Sequence, residues 1–84
     1  MLKSIQQEWE GYSAMVFRGM DVGPVQYAET KQAFFAGSWS VLQACNEIGE
    51  PHITEEQGEQ WLRDRQAECL AFKDELIRRY SESN

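Results

Sequence analysis

The sequence has few of the features that mark a secreted, membrane-spanning or catalytic protein. Its 84 residues include two cysteines, two prolines and one histidine. The first ten residues, MLKSIQQEWE, contain no apolar run that could act as a signal peptide, and no stretch approaches the roughly 18 apolar residues of a membrane span. We therefore expect a soluble intracellular protein.

The scarcity of cysteine also bears on stability. Cys45 and Cys69 both fall within apolar helical patterns, where an unpaired cysteine behaves as a small buried hydrophobe. Because nothing in the sequence indicates secretion, we do not expect them to form a disulfide. A chain this short buries only about 60–65% of the surface that it exposes when unfolded. Oligomerisation is the supplement to stability that we expect.

Positive charge is scarce as well. Eight basic residues stand against fourteen acidic ones, and the formal net charge is −6. This balance argues against a broad surface for duplex nucleic acid. An acidic protein can still bind a small anion through a few converging bases, or meet a basic protein through its acidic face.

Residues that could carry out catalysis or hold a metal are sparse. His52 follows Pro51 in a predicted turn, and no serine or cysteine lies near it in sequence as a nucleophile. Cys45, His52 and Cys69 lack the paired spacing of metal ligands. The sequence contains no glycine-rich phosphate loop and no dinucleotide fingerprint. We therefore expect no enzymatic activity, no metal and no cofactor.

Apolar residues at helical spacing predict three helices, over residues 2–17, 24–48 and 55–80. The first has one apolar stripe, Leu2, Ile5, Trp9, Tyr12 and Val16. Gly19 is suited to end it, and Pro24 suits the first turn of the second helix. Gly49 and Pro51 end the second helix, and Thr54 with Gln57 forms a capping box for the third. We expect residues 81–84 to fray.

No alternating strand pattern, internal repeat or low-complexity segment is present. The predicted fold is all-α, a single domain over residues 1–84. Two long helices joined by a short turn should pack antiparallel with the first helix laid across them. We therefore predict a three-helix antiparallel hairpin or bundle that forms oligomers, with the second helix as its core.

The second helix also carries the best candidate binding residues. Lys31 lies one helical turn from two aromatic residues, beside the small residues Ala36, Gly37 and Ser38. Core filling explains most aromatic residues in a small bundle, but some could form a stacking surface for a flat ligand. Arg63 and Arg65 could add positive charge, although ion pairs with nearby acids explain them more simply. The candidate ligand-binding residues are Tyr27, Lys31, Phe34, Phe35, Trp39, Arg63 and Arg65.

The stretch QYAETKQAFFAGSW resembles a recurrent motif of small uncharacterised tailed-phage and prophage proteins, Q-x-x-E-x-[RK]-x-A-F-[YF]-A-G-[AS]. The matching residues are Gln26, Glu29, Lys31, Ala33, Phe34, Phe35, Ala36, Gly37 and Ser38. The preceding pattern also fits, at Trp9, Phe17, Arg18, Met20 and Pro24. The resemblance spans about residues 9–45 and implies phage origin, without implying an activity.

Phage origin favours a binding protein that acts in the cytoplasm of the host cell. Our leading hypothesis is a non-catalytic anti-defence protein that forms a homo-oligomer and sequesters a small anionic nucleotide signal. The alternative is an acidic inhibitor that covers a basic surface of a host defence enzyme, through Glu47, Glu50, Glu55, Glu56 and Glu59. A third possibility is an accessory structural protein of the phage.

Overall fold

A computed structural model describes residues 2–82 and shows three α-helices, with no strand in that range. These are α1 (Ile5–Val16), α2 (Pro24–Ile48) and α3 (Glu55–Glu82). The all-α class and the three helices predicted from the sequence are confirmed. None of the described helices is long and apolar enough to cross a membrane.

The contacts group the chain into two compact units. Unit 1, Met1–Cys45, contains α1 and most of α2. Unit 2, Asn46–Asn84, contains the last residues of α2, the following turn and α3.

Helix α1 begins three residues later than predicted, because Ser4 caps it. The Ser4 hydroxyl accepts a hydrogen bond from the Gln7 backbone N–H at 3.1 Å, and the Gln7 side chain accepts one from the Ser4 N–H at 2.8 Å. This reciprocal pair is a capping box, and it leaves Leu2 outside the helix, 99% exposed. At the other end, Gly19 adopts a φ of 72°, in the left-handed region that favours glycine.

The other two helices start where their local sequence predicts. Pro24 is the first residue of α2, which ends at Ile48 as expected. Thr54 caps α3: its hydroxyl accepts from the Gln57 N–H at 3.1 Å, and the Gln57 side chain accepts from the Thr54 N–H at 2.9 Å. Helix α3 continues to Glu82, so the predicted fraying does not apply to residues 81 and 82. Residues 83 and 84 lie outside the described range.

The indole of Trp9 is the centre of unit 1. Its side chain is fully buried, and its Nε1–H donates to the hydroxyl oxygen of Tyr27 at 3.1 Å. The ring centroid of Trp9 lies 5.4 Å from that of Tyr27 and 5.5 Å from that of Phe34. Two further rings, those of Tyr12 and Phe17, lie within 6.5 Å. We call these five residues the Trp9 cluster.

The same contacts give the direction of the two helices in unit 1. Phe17, at the end of α1, lies beside Tyr27, at the start of α2, with ring centroids 6.1 Å apart. Trp9, earlier in α1, lies beside Phe34, later in α2. Helices α1 and α2 therefore run antiparallel within unit 1.

The expectation that α2 forms the core is corrected by the burial pattern. No residue of α2 is buried, and Trp9 of α1 is the one buried hydrophobic residue among those described. Two helices can surround a single large side chain, but each then keeps most of its own surface in solvent. Cys45 and Cys69, which we expected to be buried, are unpaired and exposed.

In unit 2, one tight contact joins the end of α2 to the first turns of α3. Gly58, in the first turns of α3, is buried. A Cβ atom built there would lie 2.7 Å from the Cγ2 atom of Ile48. Since such a separation is well inside ordinary van der Waals contact, only glycine allows Ile48 to pack directly on the α3 backbone.

Replacing Trp9 tests the importance of the buried indole. We expect Trp9→Phe to lower the free energy of unfolding by about 1–2 kcal/mol, because it removes the hydrogen bond to Tyr27 and leaves a small void. The matched control is Trp39→Phe, at a residue that is 65% exposed, where we expect a change within about 0.5 kcal/mol. Urea unfolding followed by far-UV circular dichroism measures both. Equal effects would contradict a special role for Trp9.

Two glycine-to-alanine substitutions test the contact at Gly58. Gly11 in α1 has no atom within 4 Å of an added Cβ, so Gly11→Ala should stabilise the protein by up to about 1 kcal/mol through helix propensity. Gly58→Ala should instead destabilise it by about 1 kcal/mol or more, because the new methyl overlaps Ile48. Thermal and urea unfolding of both variants provide the comparison. A stabilised Gly58→Ala variant would show that Ile48 does not pack there.

Candidate ligand-binding site

Lys31 and Phe35 line a shallow groove on unit 1. They lie one turn apart on α2, and the Nζ atom of Lys31 lies 5.9 Å from the centroid of the Phe35 ring, at the outer limit of a cation–π contact. Gln6 of α1 completes one side. This groove has a volume of about 500 Å³ and is lined by Gln6, Ala28, Lys31, Gln32 and Phe35. We call it the Lys31 groove.

The positive charge of Lys31 is not neutralised locally. Among residues 2–82, no carboxylate forms an ion pair with Lys31. Lys31 is partly buried, and the residues that line the groove with it are apolar or carry neutral amides. A lysine in this setting can reach solvent through its flexible stem and attract an anion.

A second groove adjoins the first at Phe35. It has a volume of about 390 Å³ and is lined by Ile5, Phe35, Ala36, Ser38, Trp39 and Leu42. We call it the Trp39 groove. Trp39 is 65% exposed and has no ring partner among the described residues. A flat ligand can therefore reach the indole face without displacing another side chain.

The predicted patch of small residues forms part of this second groove. Ala36 and Ser38 both line it, and an added Cβ at Gly37 would meet no atom within 4 Å. The Ser38 hydroxyl donates to the Phe34 carbonyl at 2.9 Å. That hydrogen bond occupies the only polar hydrogen of the patch, so the groove is predominantly apolar.

Two of the predicted site residues, Tyr27 and Phe34, belong to the Trp9 cluster. The Tyr27 hydroxyl accepts from Trp9, and the Phe34 ring contacts both Trp9 and Tyr12. Phe34 also lies 6.3 Å from Phe35, which links the cluster to both grooves. Tyr27 keeps 42% of its surface exposed. Within unit 1, these two residues pack α2 against α1, and Lys31, Phe35 and Trp39 lie on the same helix α2.

The two predicted arginines lie on α3, in unit 2, and both have local partners there. Arg63 contacts the Glu59 carboxylate at 3.9 Å and the Gln60 side-chain oxygen at 3.3 Å. Arg65 forms an ion pair with Glu68, and its guanidinium lies 5.4 Å from the Trp61 ring centroid. These contacts match the simpler interpretation, in which both arginines pair with neighbours on their own helix. Their assignment to a ligand site stays a prediction.

Sequence reasoning missed the residues that α1 contributes to the grooves. Ile5 lines the Trp39 groove and Gln6 lines the Lys31 groove. Both are about thirty positions away from their groove partners, so no short-range spacing connects them. The only available signal was that Ile5 belongs to the same apolar stripe as Trp9.

Unit 2 contains a smaller groove with acidic residues on its rim. Its volume is about 280 Å³, and its apolar wall is formed by Ile48, Ile53 and Leu62. Glu55 and Glu59 line the same groove. Glu47, Glu50 and Glu56 belong to the same unit, so the five acids proposed as a protein-binding face occur around one turn and the first turns of one helix.

His52 is the remaining residue that was considered for catalysis or metal binding. The side chain of His52 is 70% exposed, and its Nδ1 lies 3.5 Å from a Glu50 carboxylate oxygen. Within the described range, no three histidine, cysteine or acidic side chains are grouped closely enough to hold a metal ion.

Comparison of the chain with protein-family models, curated proteins and solved structures finds no match.

Proposed function

We propose that this is a non-catalytic phage anti-defence protein that acts in the host cytoplasm by sequestering a small anionic nucleotide signal. The observation that carries the proposal is the combination on α2 of an accessible indole, a second ring and an unpaired cation. Trp39, Phe35 and Lys31 follow one another at intervals of four residues and line two adjoining grooves. The resemblance to phage proteins supplies the biological setting.

The chemistry of a nucleotide fits the order of these groups. A base has a flat π-face, and stacking on an aromatic side chain contributes roughly 1–3 kcal/mol per base. The Trp39 groove offers an apolar wall for such a base. A phosphate attached to the same ligand would then lie towards Lys31, whose ammonium group has no carboxylate partner among the described residues. Arg63 and Arg65 remain candidates for further phosphate contacts.

The proposal includes a finer architecture. We propose that the three helices form an antiparallel bundle and that copies of the chain associate into a homo-oligomer. Exposed apolar side chains support association, because Leu42, Leu70 and Phe72 are 47%, 60% and 58% exposed and each costs free energy in water.

Calorimetry against a panel of cyclic dinucleotides and trinucleotides tests the ligand. Removing one charged contact typically costs about 1.5–3 kcal/mol, so Lys31→Ala should weaken binding at least about tenfold. Lys3→Ala, which removes the same charge from the segment before α1, should leave the affinity unchanged. No heat with any member of the panel, or equal affinities for the two variants, would refute this site.

The acidic groove of unit 2 supports a second candidate, an inhibitor that binds a basic surface of a host defence enzyme. Among the described residues, Glu47, Glu55 and Glu56 form no ion pair. Their charge is therefore available to a partner. Ile48, Ile53 and Leu62 would add an apolar centre within a charged rim, which is the usual anatomy of a protein interface.

Charge reversal separates this candidate from nucleotide binding. Glu55→Lys combined with Glu56→Lys should abolish capture of a host protein in a pull-down from cell extract, and capture by the unmodified protein should weaken as salt is raised. Lys31→Ala should capture the same protein normally. If Lys31→Ala abolishes capture and the acidic substitutions do not, the acidic groove is not the interface.

A further inference from the structure

Helix α3 carries an apolar face that remains exposed along most of its length. Leu62, Leu70, Phe72 and Ile77 are 48%, 60%, 58% and 54% exposed. With about 100° of rotation per residue, these four fall within an arc of about 160°, which also contains Cys69. Glu59, Arg65 and Lys73 also fall on this arc, where the long stems of arginine and lysine can lie along an apolar contact while their charged ends reach solvent. The opposite side of the helix carries the charged residues Asp64, Asp74, Glu75 and Arg78. Such a division is typical of a helix that buries one face.

Within unit 2, only the start of this face is covered. Gly58 lies on the same arc and is buried against Ile48. Leu62, one turn further, lines the acidic groove and is already half exposed. Further along the face, Leu70, Phe72 and Ile77 are each more than half exposed, whereas Leu76 is partly buried. The packing that begins at Gly58 is therefore not continued by unit 2 itself.

The exposed apolar area is close to what a homodimer needs. Taking roughly 200 Å² for a fully exposed large apolar residue, the four side chains leave about 450 Å² in solvent. A standard interface buries about 800 Å² per partner, and about 65% of a homodimer interface, or about 500 Å², is apolar.

The charges along α3 favour an antiparallel arrangement of two copies. Its first turns carry Glu55, Glu56 and Glu59, whereas the basic residues Lys73, Arg78 and Arg79 near its C-terminal end are balanced by Asp74, Glu75 and Glu82. A parallel pair would bring the acidic ends of both helices together. An antiparallel pair keeps the two acidic ends apart and also aligns the helix dipoles favourably.

We propose that the apolar face of α3 binds the same face of a second copy of this chain, with the two helices antiparallel and crossing near Cys69. This inference rests on the self-association included in the proposed function and identifies the surface responsible for it. It does not involve the nucleotide or the two grooves of unit 1.

Analytical ultracentrifugation without nucleotide tests the interface. The unmodified protein should sediment as a dimer or a larger oligomer. Phe72→Glu should shift it to the monomer, because two carboxylates would be buried at the contact. Val25→Glu, at a residue of unit 1 that is 69% exposed, is the matched control and should leave the association unchanged. Far-UV circular dichroism should show the same helix content for all three proteins.

Several outcomes would overturn this interface. A Phe72→Glu variant that remains oligomeric places the contact elsewhere. If the unmodified protein sediments as a monomer, the proposed dimer does not form. If Phe72→Glu also loses helix content in that case, the apolar face of α3 packs against another part of the same chain. A monomer that still binds nucleotide overturns the interface and the homo-oligomer but leaves the ligand proposal intact. An oligomer that binds none of the nucleotides overturns the ligand proposal alone.

Cysteine cross-linking tests the direction of the helices. In a Cys45→Ser, Cys69→Ser background, Leu62→Cys and Leu76→Cys place single thiols seven residues to either side of Cys69. An antiparallel pair brings residue 62 of one copy to residue 76 of the other, so a mixture of the two variants should form the mixed disulfide on oxidation. Disulfide formation by each variant with itself, without the mixed product, would show a parallel pair.

Discussion

Trp9 is the one large apolar side chain in the described chain that is completely withdrawn from water, and unit 1 is arranged around it. Its indole is contacted by rings from both helices, and its one polar hydrogen is bonded to the Tyr27 hydroxyl. This matters because a buried N–H without a partner would cost about 1–3 kcal/mol. The hydrogen bond and the ring contacts together fix the antiparallel direction and the register of α1 against α2.

That register determines what α2 presents to solvent. With Tyr27 and Phe34 directed at Trp9, other residues of α2, namely Lys31, Phe35 and Trp39, line the grooves beside α1. A side chain cannot fill the core and offer its whole face to a ligand. The seven predicted ligand-binding residues therefore fall into three groups. Tyr27 and Phe34 belong to the Trp9 cluster. Lys31, Phe35 and Trp39 line the two grooves, and Arg63 and Arg65 contact neighbours on α3.

The packing within unit 2 differs from the packing within unit 1. Gly58 is the one buried residue among those described in unit 2, and Ile48 packs on the helix backbone there. Most of its large apolar residues remain in contact with water. Exposed apolar surface on this scale has a cost that association with another surface removes. The proposed self-association would therefore also stabilise unit 2, whereas unit 1 has its own aromatic centre.

Features that depend on neighbours within one helical turn could be predicted from the residues alone. The all-α class, the start of α2 at Pro24 and the capping box at Thr54 could all be predicted, because caps and helix breakers act over one to four residues. The Ser4 capping box was equally readable and was overlooked. Tertiary structure alone decided that Trp9 rather than α2 forms the core, that Ile5 and Gln6 line the grooves, and that Cys45 and Cys69 are exposed. These outcomes depend on contacts such as that between Trp9 and Tyr27, eighteen residues apart, and periodicity along one helix contains no information about which turn of another helix it will meet.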